Sequence, residues 1–162
     1  MEEISMPSLS PSEKKSTEKL RRDTRTFSLD TNVLIAAIKN PSKETDTLKL
    51  LTKIIKDPTL RLVADELLLE EMIRYAELLK SPTTATLIAA LTRKTSVVNV
   101  SEKYQSICKT HIKTPNKGDI LHAAACLQTE AALITNDQHF KRIAKERIIE
   151  VWSITDAIKA LL

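Results

Sequence analysis

Short apolar runs recur along the chain, and each is followed by residues with helical spacing. The runs are TFSL at 26–29, LRLVA at 60–64, SVVNV at 96–100, ALIT at 132–135 and RIIEV at 147–151. Helical patterns lie at 31–39, 44–56, 66–80, 83–93, 101–111, 118–130, 137–146 and 154–161. A strand that returns to its sheet through a helix runs parallel to its predecessor. The alternation predicts an α/β fold: a three-layer sandwich whose central parallel sheet, of about four to five strands, is flanked by helices. Ligands of such sheets bind outside the carboxyl ends of the strands. The acids to inspect are therefore those just after a strand.

Composition narrows the chemistry. At 162 residues the chain suits one domain with a full core. A single glycine excludes the glycine-rich phosphate cradles. Aromatics at 3 % argue against a stacking platform for single-stranded nucleic acid. A net charge of +4 favours a polyanionic partner. The first residues are polar, without a secretory apolar core, and the longest apolar run, VLIAAI, is far short of a membrane span. Cys108 and Cys126 form no CxxC. A cytoplasmic, reduced protein with no membrane contact is expected.

Residues 1–25 read as a polar, basic and disordered extension, with a short helix near 13–22. From Glu13 to Arg25 there are six Lys/Arg against three Asp/Glu. Residues 26–162 read as the folded domain.

Asp30 ends the first strand in SLDTNVL, and Asp137 follows the fourth in LITNDQHF. As a seam residue Asp30 also suits an N-cap, with Thr31 and Asn32 beside it. In ELLLEEMIRYAELLK, Glu66, Glu70, Arg74 and Glu77 share a polar stripe, whereas Glu71 falls among Leu67, Leu68, Tyr75 and Leu78. A carboxylate on a packing face needs a partner. Asp119 opens the apolar helix GDILHAAACLQTE, directly after the only glycine, Gly118, which permits a tight entry. Acids gathered in one cleft repel unless protonated or bridged by cations. Hard divalent ions take oxygen ligands, and such sites activate water for phosphodiester cleavage.

These pieces, SLDTNVLIAAI, the Glu of ELLLEEM, GDILHAAAC and LITNDQHF, occur in the order of a PIN-domain ribonuclease, which the chain resembles over about residues 27–140, including VapBC-type toxins. The resemblance implies a parallel sheet with an RNA cleft dependent on Mg²⁺ or Mn²⁺. It implies catalytic acids at Asp30, Glu71, Asp119 and Asp137, with Glu70 as a register alternative to Glu71. Asp30, Asp119 and Asp137 would hold metal, and Thr135 and Asn32 would support them. RNA is the implied substrate, an antitoxin protein an implied partner, and the role is that of a toxin or a processing enzyme. A homodimer follows partly from the resemblance. It follows partly from the apolar faces Leu48, Leu51, Ile55 and Leu87, Ile88, Leu91, which a small sheet is not expected to cover.

Two other functions compete. One is a non-catalytic RNA-binding or assembly module on the same scaffold. The other is an aspartyl-phosphate receiver or phosphatase, disfavoured because Asn32 stands where the second Asp would be. The pattern Cys108-x2-His111 and His122-x3-Cys126 superficially suits zinc, but Cys126 lies on an alanine-rich packed helix, where a cysteine acts as a small hydrophobe. His139 lies just past Asp137, within reach of a substrate, but reads first as a surface histidine, and Trp152 reads as a core anchor for the last strand and helix.

Overall fold

A computed structural model describes residues 25–39, 43–113 and 116–162. The expected extension lies outside these residues, except for Arg25, which opens the first strand. Five parallel strands form one sheet: β1 (Arg25–Leu29), β2 (Leu60–Asp65), β3 (Thr95–Val98), β4 (Ala132–Ile134) and β5 (Val151–Trp152). Their order is β3-β2-β1-β4-β5. Phe27 pairs with Leu62 on one side and Ala132 on the other, so β1 is central. The helices are α1 (Thr31–Ile38), α2 (Asp46–Lys56), α3 (Glu66–Leu79), α4 (Pro82–Lys94), α5 (Glu102–Lys109), α6 (Lys117–Thr129), α7 (Lys141–Lys145) and α8 (Ile154–Leu161). A 3₁₀ turn, Gln138–Phe140, precedes α7.

Strand alternation builds two cores. Phe27, Leu29, Leu62, Ala64 and Ile134 face one layer, filled by α1, α2, α3, α4 and α8. Leu133 faces the other, with Cys108, Ala123, Cys126, Phe140 and Ile143 from α5, α6 and the 3₁₀ turn–α7 segment. The three-layer sandwich is thus present. Among the described residues no helix is long and apolar enough to cross a membrane.

Some local expectations are corrected. RIIEV was expected as strand over 147–151, but only Val151 and Trp152 pair, with Leu133 and Ile134. Arg147 takes a left-handed φ of 59°, and its N–H and that of Ile148 return to the Ala144 and Ile143 carbonyls. The stretch is a helix exit, and Ile149 is buried by it. Trp152 anchors the last strand from a half-buried edge position, packed against the first core rather than within it. Its ring meets Phe27 edge-on at 5.1 Å, and its indole N–H donates to Glu150 Oε1 at 2.6 Å.

The apolar faces expected to lie open are largely closed within the chain. Leu51, Ile88 and Leu91 are buried, while Leu48, Ile55 and Leu87 pack against the same core. Helix α8 covers α2 by contributing Ile154 and Ala157 to that core. Composition therefore offers no argument for a dimer through these faces.

Candidate active site

From β1 the sheet grows outward to β2 and β3; from β4 it grows the other way to β5. The crevice between the carboxyl ends of β1 and β4 is the switch point, where open α/β sheets bind ligands. Asp30 follows β1 and extends the ladder, its N–H donating to the Ile134 carbonyl at 3.1 Å. Thr135 and Asp137 follow β4. Topology alone thus brings Asp30 and Asp137 to one crevice.

Asp30 does cap α1, but with one oxygen only: Oδ1 accepts from the Thr31 N–H at 2.7 Å. Oδ2 accepts from the Thr135 hydroxyl at 2.7 Å and from the Asn32 amide at 3.4 Å. Thr135 Oγ1 also accepts from Asn32 Nδ2 at 3.2 Å and from the Asp137 N–H at 3.0 Å. One hydroxyl therefore fixes both strand-end aspartates relative to each other. Burial, chiefly, raises the Asp30 carboxyl above its usual range. The Thr135 hydroxyl, the charge of His122 and the Thr31 N–H oppose the rise, and the charge of Asp137 adds to it.

The two glutamates of α3 separate as helical facing predicted. Glu71 is half-buried, and its Oε2 accepts from the Thr31 hydroxyl at 2.7 Å. It is thereby tied to the residue next to Asp30. Glu70 is exposed and lines a different groove, with Lys117 and Leu121 of α6.

Asp119 lies buried in the first turn of α6. Asn116 caps that turn: its Oδ1 accepts from the Asp119 N–H at 2.8 Å, and its Nδ2 donates to Asp119 Oδ2 at 3.0 Å. Gly118 sits inside the helix, without a left-handed backbone. A Cβ there would stand 3.3 Å from Asn116 Oδ1, so the glycine makes room for the cap. Burial raises the Asp119 carboxyl; the charge of His139 opposes this and that of Asp137 adds to it. Ligand atoms of Asp119, Asp137 and His139 all lie within 4.8 Å of one another.

Nearby lies a pair absent from the sequence reading. His122 Nδ1 is 2.5 Å from Asp65 Oδ2, with side chains 4 % and 2 % exposed. Asp65 Oδ1 caps α3 by accepting from the Leu68 N–H at 3.0 Å. The pair thus ties α6, which carries Asp119, to the β2–α3 corner, which carries Glu71. Burial disfavours the imidazolium, but the hydrogen bond and charge of Asp65, with Asp30 and Glu71 beyond, outweigh it and raise the His122 pKa. Two signals pointed to the pair. Asp65 ends a strand, as Asp30 nearly does, and a histidine on a buried alanine-rich helix needs a partner.

The residues of the zinc-like pattern part company. Cys108 and Cys126 are buried in the second core, and burial pushes the Cys108 thiol up to about 11 and the Cys126 thiol further up. His111 turns outward to Glu146 Oε2, at 2.5 Å.

The model of the PIN domain family matches residues 28–146. The chain belongs to the PIN domain family. Among solved structures, this PIN domain is similar to VapBC2 from Rickettsia felis bound to a DNA fragment from its promoter. Identity is 20 %, over 79 % of this chain and 98 % of that one, with a TM-score of 0.55. It is similar to VapBC-1 from nontypeable Haemophilus influenzae, at 24 % identity over 80 % and 98 % of the two chains, TM-score 0.54. It is also similar to FitAB bound to an IR36 DNA fragment, at 21 % identity over 79 % and 94 %, TM-score 0.51. At such identities these structures speak for the fold. No curated protein sequence matches the chain.

PIN nucleases use divalent metals, and the residues of this PIN domain fit such an ion. Two carboxylates and an imidazole present ligand atoms within one ion's reach. Burial chiefly raises the Asp30 and Asp119 carboxyls, and the charge of Asp137 adds a smaller repulsive part, which a cation would offset. Asn32 Oδ1 is buried with no hydrogen-bond partner among the described residues, although the same amide's nitrogen reaches Asp30 and Thr135.

Proposed function

We propose that this PIN domain is a divalent-metal-dependent endoribonuclease that cleaves RNA phosphodiesters at the β1–β4 switch point. Asp30, Glu71, Asp119 and Asp137 act as its acids, and Asp30, Asp119 and Asp137 hold Mg²⁺ or Mn²⁺. The observation that carries this reading is the shared Thr135 hydroxyl, which links Asp30 to Asp137 beside the Asp119 carboxylate. A bound cation supplies the positive charge that draws a phosphate to an acidic cleft, activates water and offsets transition-state charge. The chain's own residues do the positioning. Thr31 and Thr135 hold the Asp30 oxygens in two fixed directions. The Thr31 hydroxyl orients Glu71 toward the same corner. Lys141 lines the open cleft beside Thr135, Asp137 and Ser153, where an ammonium suits an RNA phosphate. Hydrolysis here needs no covalent enzyme intermediate.

The wider role is that of a toxin or a processing enzyme acting in the cytoplasm. Likeness to the VapBC and FitAB structures supports an antitoxin partner. A homodimer rests on the family resemblance, with Ile73, Leu78 and Leu79 of α3 as exposed apolar residues available to either partner. Residues 1–25 assist RNA binding without entering catalysis; if they contact phosphates, their removal flattens the salt dependence of binding. The test of function is cleavage of RNA by the full purified chain. Activity is expected with Mn²⁺ or Mg²⁺, lost with a chelator and restored by metal. Cleavage indifferent to chelation would overturn the metal role.

A further inference from the structure

His139 was expected to be an ordinary surface histidine, yet its surroundings are built. Phe140, the next residue, is fully buried in the second core and anchors the 3₁₀ turn. Asp137 caps that turn, its Oδ1 accepting from the His139 N–H at 2.9 Å. The imidazole is thereby turned back over the acids. Its Nδ1 lies 3.1 Å from Asp119 Oδ2 and 3.4 Å from Asp137 Oδ1. The two carboxylates come from different elements, α6 and the β4 exit.

A hydrogen-bonded imidazole nitrogen has one proton and serves one acceptor well. Here two carboxylate oxygens approach the same nitrogen. Adjacent ligand atoms on an octahedral ion with bonds of about 2.1 Å stand about 3.0 Å apart, close to both separations. The side chain is 48 % exposed, so an ion can reach the imidazole from solvent.

We propose that His139 is a direct nitrogen ligand to the divalent cation shared by Asp119 and Asp137. The inference rests on the metal reading above and adds to it a ligand of a different kind. An Asp–Asp–His donor set binds Mn²⁺ and later transition ions in preference to Mg²⁺, because imidazole is a softer donor than carboxylate. In this site the histidine, rather than the acids, sets which metal is retained.

The experiment is electron spin-echo envelope modulation on the full chain loaded with Mn²⁺. Nitrogen-14 coupling of a directly bound imidazole is expected in the wild type and absent in His139→Ala. Calorimetry on the same proteins is expected to give an Mn²⁺ affinity about tenfold weaker in the variant, with Mg²⁺ affinity changed by less than about twofold. Far-ultraviolet circular dichroism confirms that the variant is folded. Mn²⁺ binding without nitrogen coupling, or coupling that survives in His139→Ala, would overturn the role of His139 and leave the carboxylate site standing. Failure of the wild type to bind Mn²⁺ at all would overturn both.

Discussion

Two histidines meet two aspartates in this molecule, on opposite sides of one functional boundary. His122 and Asp65 are almost wholly buried, 2.5 Å apart, and each belongs to a different core element. His139 and Asp119 meet at 3.1 Å where the histidine is half in solvent. The chemical groups are the same. The buried pair is almost closed to solvent and joins α6 to the β2–α3 corner. The open pair has Asp137 as a third neighbour and solvent access, which is what a ligand requires. Burial thus separates the frame of the site from its contents.

Breaking the buried pair is expected to have the largest effect. Asp65→Ala leaves His122 buried without its counter-charge and removes the α3 cap. Loss of one partner of a buried pair costs about 3–5 kcal/mol. A denaturant titration checks this; a loss below about 1 kcal/mol, the ordinary effect of a point substitution, would place the pair outside the frame.

A smaller, pH-dependent effect sharpens the same contrast. The His122 pKa is raised in the folded chain, with Asp65, Asp30, Glu71 and Asp119 as the charged groups that face it. Its ionic contribution is therefore fully present below the unfolded value of 6.5. It is lost as pH rises through the folded-state pKa above that value. The stability advantage of wild type over His122→Gln is expected to be greatest near pH 6 and to shrink on the alkaline side. Melting curves across that window test it, and a constant difference would contradict it.

Weaker still, Asp30→Asn is expected to hold stability or raise it by about 1 kcal/mol, since its carboxyl is charged against burial and beside Asp137. Asparagine keeps the cap to Thr31. The smallest effect belongs to the open histidine: His139→Ala is expected to change stability by less than about 0.5 kcal/mol. A large loss there would make His139 part of the frame.

The sequence was legible where placement follows local order. Asp30 and Asp137 were legible as neighbours because each follows a strand, and the sheet order places those strand ends together. Glu71 was separated from Glu70 by helical facing, which one helix fixes by itself. The Asp65–His122 pair was missed because its partners are far apart in sequence and meet only through the packing of α6 on β2. The fifth strand was overlong because an apolar RIIEV run does not reveal that Arg147 turns left-handed. The open helical faces were misjudged for a related reason. Periodicity marks an apolar face without naming its cover, and α8, the last helix, returns to cover α2.

The most direct test of the switch-point site is the rate of RNA cleavage by Asp30→Asn protein with saturating Mn²⁺, after its melting temperature has been measured beside wild type. The expected result is a loss of at least about a hundredfold in rate in a protein that melts no lower than wild type. Cleavage at the wild-type rate by that folded variant would contradict the assignment of Asp30, and with it the β1–β4 crevice as the place of chemistry.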